Sequence, residues 1–227
     1  MKRVLVLGGS GALGRVIVRD LRAAGAHVFA SYLTREIRPD DRLEPFALDL
    51  ADAAAMEAKV SALGPLDALV HCAAVPSTNT PPLFESLAQI DSTGFDRLMA
   101  VNVKSALFAV RAAQMSVGNV VLVGSIDGVK GVPAPAPYAA SKAALCGLAT
   151  ALAKELGPRG TLVNVVAPGI LESGLSKLLP ERLRNEYLKH GAAKRLGKHE
   201  EVAALVRFLA LENTYVSART LTVDGGL

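Results

Sequence analysis

The sequence predicts an α/β fold in one domain: a doubly wound sheet of about seven parallel strands with helices on both faces. Three observations carry this. Short unbroken apolar runs, such as Val4-Leu5-Val6-Leu7 and Val120-Val121-Leu122-Val123, suit strands buried on both faces. Segments of helical length, closed by Gly or Gly-Pro, separate those runs. The first run leads directly into Gly8-Gly9-Ser10-Gly11-Ala12-Leu13-Gly14, a turn of the kind that opens a nucleotide-binding βαβ unit.

In chain order, the first strand and glycine loop precede an amphipathic helix from about residue 15 to 24, stopped by Gly25. A second strand follows at 26–31. Glycines there let the backbone turn tightly and approach a pyrophosphate, and the helix N-terminus offers free N–H groups. The end of the second strand bears on cofactor choice: a carboxylate would bond the ribose of NAD, a cation would suit the phosphate of NADP. Ser31-Tyr32-Leu33-Thr34 carries no acid, and Arg35 follows. This points to NADP(H) in preference to NAD(H).

Residues 44–50 read as a third strand ending at Asp49-Leu50, and 52–63 as a helix with Asp52 at its N-cap. A fourth strand at 66–72 is followed by Ala73-Ala74, small residues against which a cofactor fits. Segment 76–94 is irregular, rich in Pro, Ser and Thr. Residues 95–116 read as one long helix with Asn102 near its middle, between Val101 and Val103, where a bonded interior role suits it.

The fifth strand, 119–123, ends at Ser125. Tyr138 and Lys142 stand four apart at the start of the next helix, 138–156, and so share a face. A lysine ammonium beside a phenol favours the phenolate and lowers the tyrosine pKa, which tunes it for acid/base work. The intervening loop 126–137 holds three prolines, a stiff wall for a pocket. A sixth strand at 161–166 runs into Ala167-Pro168-Gly169-Ile170. Segment 171–198 is polar, basic and helical in pattern between Gly174 and Gly197, as a flap over a site would be. A helix at 200–211 and a strand at 220–223 close the chain. In such sheets ligands bind at the carboxyl ends of the strands, where all these residues fall.

The 227 residues are 51% hydrophobic and 20% charged, enough for one domain with a large core. Aromatics are 4% with no Trp, which argues against base stacking as an activity, and a net charge of +4 is too small to imply nucleic acid. Cys72 and Cys146 make neither a disulfide framework nor a metal spacing. The opening has no signal-peptide pattern and no run reaches the about 18 apolar residues of a membrane span. The expected location is the cytoplasm.

Taken together, LGGSGALG at 7–14, ALD at 47–49, LVHCAAV at 69–75, VN at 101–102, VGS at 123–125, YAASK at 138–142, NVVAPGILES at 164–173 and LTVDGG at 221–226 resemble the short-chain dehydrogenase/reductases over essentially the whole length. The single-domain 3-oxoacyl-[acyl-carrier-protein] reductases are the nearest likeness. The resemblance implies a Rossmann-type domain over 1–227. It casts Tyr138 as the general acid, Lys142 as the residue that holds the nicotinamide ribose and depresses the tyrosine pKa, Ser125 as the partner of the carbonyl, and Asn102 as the holder of a relay water. By the same likeness Gly8, Ser10, Gly11, Ala12, Leu13 and Gly14 hold the pyrophosphate. Asp49 and Leu50 meet the adenine, while Ile170 and Ser173, after Pro168-Gly169, hold the carboxamide. The sequence departs from the family at Leu7 (usually Thr), Ala12 (usually Gly), His71-Cys72 (usually Asn-Asn) and Ser173 (usually Thr).

The expected activity is ketone reduction by hydride transfer, first on a 3-oxoacyl thioester held by a carrier protein, whose acidity the basic stretch 177–198 would suit. A dihydropteridine-type reductase is a second reading, from the likeness of the opening VLVLGGSGALG. A non-catalytic nucleotide sensor is a third, disfavoured because all four catalytic positions are filled. Relatives imply a homo-oligomer, tetramer or dimer, through helices 95–116 and 138–156. No metal, nucleic acid or membrane partner is expected.

Overall fold

Alternation along the first strand, β1 (Arg3–Leu7), sets the layers: Leu5 and Leu7 enter one hydrophobic core, Val4 and Val6 the other, all four without exposure. A strand covered on both faces must be apolar at successive positions. The computed structural model describes residues 1–76, 87–113, 117–174 and 179–227. In it β1 is joined by β2 (His27–Tyr32), β3 (Leu43–Ala47), β4 (Leu66–His71), β5 (Val117–Val123), β6 (Leu162–Pro168) and β7 (Arg219–Val223). All pairings are parallel, in the order β3-β2-β1-β4-β5-β6-β7. The winding starts at β1, runs outward to β3, then returns to β4 on the other side. That reversal opens a crevice between the carboxyl ends of β1 and β4.

One face is covered by α1 (Ala12–Ala23) and α7 (His199–Leu211), through Ile17, Leu21, Val202, Val206 and Leu209. The opposite face is covered by α2 (Ala53–Ala62), α4 (Ser105–Ala113) and α5 (Ala136–Leu156), through Met56, Val60, Val110, Leu145 and Leu156. Asp52 caps α2 as expected, accepting the Ala55 N–H at 3.0 Å. No helix among the described residues is long and apolar enough to cross a membrane.

Several boundaries shift by one to three residues from the sequence reading, and three differences have a local physical reason. The first helix begins at Ala12, because the Arg15 N–H already donates to the Gly11 carbonyl at 3.0 Å. The third strand stops at Ala47, and Asp49 turns the chain by accepting the Ala51 N–H at 2.9 Å. The helix expected over 95–116 is interrupted: α3 (Ser92–Met99) passes through a π turn at Ala100–Lys104 into α4, and 114–116 lie outside the described residues. π turns insert one residue into a helix and re-aim side chains, and here the turn carries Asn102.

Segment 171–198 holds a single described helix, α6 (Glu181–His190), with 175–178 outside the described residues. Its two ends are stitched together: Gly197 N–H donates to Ile170 O at 3.0 Å and Glu172 N–H to Gly197 O at 2.9 Å. The Tyr187 hydroxyl donates to the Asp224 carbonyl at 2.6 Å, which docks α6 beside the ends of β6 and β7.

Candidate active site

Two glycines shape the turn between β1 and α1. Gly8 has φ +86°, and a Cβ there would stand 2.7 Å from the main chain of Ala73. A Cβ on Gly14 would overlap the Gly8 carbonyl oxygen. Only bare backbone fits at both places. Leu7 has no hydroxyl to steady this loop; the Gly8 N–H instead donates to Ser31 Oγ at 2.9 Å and the Gly9 N–H to Ser31 O at 2.9 Å. Ser31 is buried at the end of β2, and the motif reading missed it. A small polar residue closing an otherwise apolar strand was its signal. The α1 N-terminus has no side-chain cap and no acid in its first turn, so its N–H groups suit an anion.

Ser125 sits just past β5, with Tyr138 in the first turn of α5, where Pro137 occupies a position that needs no N–H partner. One turn on, the Lys142 ammonium is buried, donates to the Val123 carbonyl at 2.9 Å and lies 5.5 Å from the Tyr138 ring centre. Asn102 is fully buried behind this group. Its Oδ1 accepts the Val75 N–H at 2.8 Å, and its Nδ2 donates to Val75 O at 3.1 Å and Ser141 Oγ at 3.0 Å. Both amide hydrogens are therefore held by the protein, and Asn102 does not line the cavity.

The electrostatics correct one expectation. Lys142 was expected to lower the Tyr138 pKa, yet burial, then the charges of Asp127 and Cys72, push it above the ordinary phenol value. Burial outweighs the ammonium, which is itself lost from about pH 8, before a phenol titrates. Burial also brings Lys142 itself down to about 8, against the pull of Cys72 and Asp127. At the family's Asn-Asn positions, burial lowers His71 to about 3 and raises Cys72 to about 12, so both are neutral near pH 7. His71 Nε2 meets Ser105 Oγ at 2.6 Å, and that hydroxyl donates to Val101 O.

The glycine loop, Ser125, Tyr138 and Lys142 face one cavity of about 1140 Å³, above the ~300–1,000 Å³ typical of a single small-ligand pocket. Gly8, Ser10, Gly11, Ala12, Leu13 and Gly14 form its floor at the crevice. Asp49 and Leu50 line one end; Asp49 pairs there with Arg97 at 3.4 Å. Ala73 and then Ser125, Tyr138 and Lys142 line the middle, opposite Pro168, Gly169, Ile170 and Ser173. Val132 to Pro135 form a wall, as the prolines implied, and Leu179, Leu183 and Tyr187 bring in the segment of α6. At the start of the irregular segment 76–94, Pro76 lines the cavity, and 77–86 lie outside the described residues.

Arg35 is a correction. It is exposed on the loop after β2, and the cavity wall ends at Leu33, so the structure does not bring this cation to the site. Arg97, overlooked in the sequence, supplies the cation at that end. Asp127 and Tyr187 were also missed. An acid two residues after Ser125 belongs to no motif, and Tyr187 shows its role only when its hydroxyl fills the space a Cβ on Gly169 would take.

A family model described as enoyl-(acyl carrier protein) reductase matches residues 9–227. The chain is 31% identical over 236 residues to the 3-oxoacyl-[acyl-carrier-protein] reductase MabA of Mycobacterium tuberculosis, covering 100% of this chain and 92% of that protein. Among solved structures, BdcA in complex with NADPH superposes with a TM-score of 0.87 at 32% identity, covering 100% of this chain and 94% of that one. A short-chain dehydrogenase/reductase from Serratia marcescens superposes at 0.85 and 31% identity, covering 99% and 97%.

Proposed function

This chain belongs to the short-chain dehydrogenase/reductase family of oxidoreductases, and we propose that within it the protein reduces a ketone to an alcohol with NADPH. The observation that carries the reading is the convergence of Ser125, Tyr138 and Lys142 with the glycine loop on one cavity. The residues present fit a dinucleotide. A cradle at Gly8 and Gly14 admits no side chain, and the uncapped α1 N-terminus favours a diphosphate. No carboxylate stands at the end of β2 within the cavity, while Arg97 does line it, which favours a 2′-phosphate over a bare ribose. The NADPH complex of BdcA supports the same choice.

When bound, NADPH supplies a hydride to the carbonyl carbon. The chain's own part is proton management and orientation. Ser125 donates a hydrogen bond to the carbonyl oxygen. As negative charge grows there, Tyr138 gives that oxygen its phenolic proton, and solvent later restores it. The nearby Lys142 ammonium stabilises the phenolate left behind. Asn102 holds the segment at Val75 against α5 and so fixes the depth at which Tyr138 stands.

The first substrate class to test is a 3-oxoacyl thioester on a carrier protein, as in MabA. Arg182 lines the cavity mouth from α6, and Lys189 is exposed on the same helix; acidic carrier proteins complement such cations. A homo-oligomer, dimer or tetramer, is part of this reading. The test follows NADPH absorbance with 3-oxoacyl thioesters, free ketones and a quinonoid dihydropteridine. Turnover confined to the pterin, or tight NADPH binding without turnover of any carbonyl, sinks the reading.

A further inference from the structure

Gly128 lets the turn after β5 lie flat on α5. A Cβ at Gly128 would overlap the main chain at Lys142 and Ala143. The turn Ile126–Gly128 is thereby pressed onto α5, with Ile126 buried beneath it. Asp127 is carried into the cavity that Ser125, Tyr138 and Lys142 line. Its main-chain N–H donates to Ser125 Oγ at 3.2 Å, and its carboxyl is within hydrogen-bond reach of the same hydroxyl. The serine oxygen thus already accepts one bond, and its single hydrogen has two claimants: the Asp127 carboxyl and a substrate carbonyl.

We propose that Asp127 is a positioning residue that decides where the Ser125 hydrogen points, and so which direction of the reaction the site favours; this rests on the ketone-reductase reading. With Asp127 protonated, Ser125 donates to the substrate carbonyl. With Asp127 ionised, the carboxylate takes that hydrogen in a charge-assisted bond, and Ser125 no longer donates to the substrate oxygen. The ionised carboxylate also opposes formation of the Tyr138 phenolate that reduction leaves behind. Both effects act against reduction.

The groups acting on this carboxyl are Ser125 on its own turn and Tyr138 and Lys142 on α5. Burial raises the Asp127 carboxyl above its usual range, while the Ser125 hydroxyl and Lys142 ammonium hold it down in part. The switch therefore lies on the neutral side of an ordinary aspartate. No proton is consumed beyond the one that Tyr138 delivers, since Asp127 only redirects the Ser125 hydrogen bond.

The test is kcat and KM against pH in both directions, ketone reduction with NADPH and alcohol oxidation with NADP, for wild type, Asp127→Asn, Asp127→Leu and Asp127→Glu. NADPH fluorescence titration checks that each variant keeps its cofactor site. In wild type, kcat for reduction falls as pH rises through the Asp127 ionisation. Asp127→Asn, whose amide N–H imitates the protonated acid, loses that fall, while its oxidation rate drops by about tenfold. Asp127→Leu lowers kcat in both directions without the limb, and Asp127→Glu restores the limb. An Asp127→Asn or Asp127→Leu profile that keeps the wild-type limb in both directions overturns the inference. A wild type that turns over no ketone or alcohol overturns the parent reading and this one with it; an intact limb in Asp127→Asn with normal turnover overturns this one alone.

Discussion

The amide of Asn102 and the hydroxyl of Ser141 are 3.0 Å apart, and Ser141 in turn donates to the carbonyl of Tyr138 at 2.7 Å. A π turn on one helix thus holds the first turn of another. The same amide closes on both main-chain groups of Val75, so the segment after β4, the π turn and α5 form one rigid corner of the cavity.

Replacing Asn102 by Ala leaves the Val75 N–H and C=O without their partner in a buried place. A loss of about 2–4 kcal/mol of stability is expected, from roughly 1–3 kcal/mol per unsatisfied buried group. Asn102→Asp keeps the acceptor for the Val75 N–H but loses both donors, so it falls between. Urea unfolding gives the stability order; a variant as stable as wild type shows the corner is held by something else.

Lys142 gives a stability that depends on pH. Its folded pKa, about 8, lies below the 10.5 of a free lysine. Between those values the unfolded chain binds the proton more strongly than the folded one, so stability rises with pH there. Below about pH 8 the full penalty of burying the ammonium is present; by about pH 10.5 it has gone. Relative to Lys142→Met, which does not titrate, the cofactor-free wild type is expected to gain on the order of 3 kcal/mol across that interval. Unfolding curves at the two ends of the range measure it, and a constant difference between the proteins counts against a buried charged lysine.

Gly14→Ala forces a methyl into the Gly8 carbonyl oxygen. The glycine loop must open, at a cost of about 1–3 kcal/mol for the strained backbone. NADPH affinity is expected to fall about tenfold or more, while Gly25→Ala, at a position with open space but φ +87°, lowers stability and leaves affinity unchanged. Fluorescence titration with NADPH separates the two; equal affinity in Gly14→Ala and wild type removes the loop from the cofactor site.

Tyr138→Phe deletes only the phenolic oxygen. Turnover is expected to fall by about 10²–10⁴-fold, the range for a lost general acid, with NADPH binding within a few-fold of wild type. Retained turnover on a substrate the wild type reduces means the proton comes from elsewhere.

Much of this was legible in the chain alone, for a reason that differs by element. The inner strands were readable because both faces of the sheet are covered there, which makes them apolar runs such as Val4 to Leu7, whereas the edge strands β3 and β7 mix polar and apolar residues. The glycine loop was readable because Gly8 and Gly14 answer to backbone geometry, which tolerates almost no other residue. Tyr138 and Lys142 were readable because a helix places i and i+4 together whatever surrounds it.

What only the tertiary structure decided is how distant groups meet. The helix over 95–116 looked continuous because helical periodicity does not register one inserted residue; the π turn follows from what Asn102 finds at Val75 and Ser141. The tyrosine pKa went the other way from the local pairing because burial and the charges of Asp127 and Cys72 come from separate segments of the chain. Arg35 looked like the cofactor's cation by its place after β2, yet of the two arginines it is Arg97, far along the chain, that lines the cavity beside Asp49. Spacing along one element is encoded locally, so the sequence by itself determined the fold, the glycine loop and the Ser125–Tyr138–Lys142 set. Burial, charge and hydrogen-bond direction are sums over neighbours brought in by folding, and the packing of α5, α6 and the turn at Asp127 determined those.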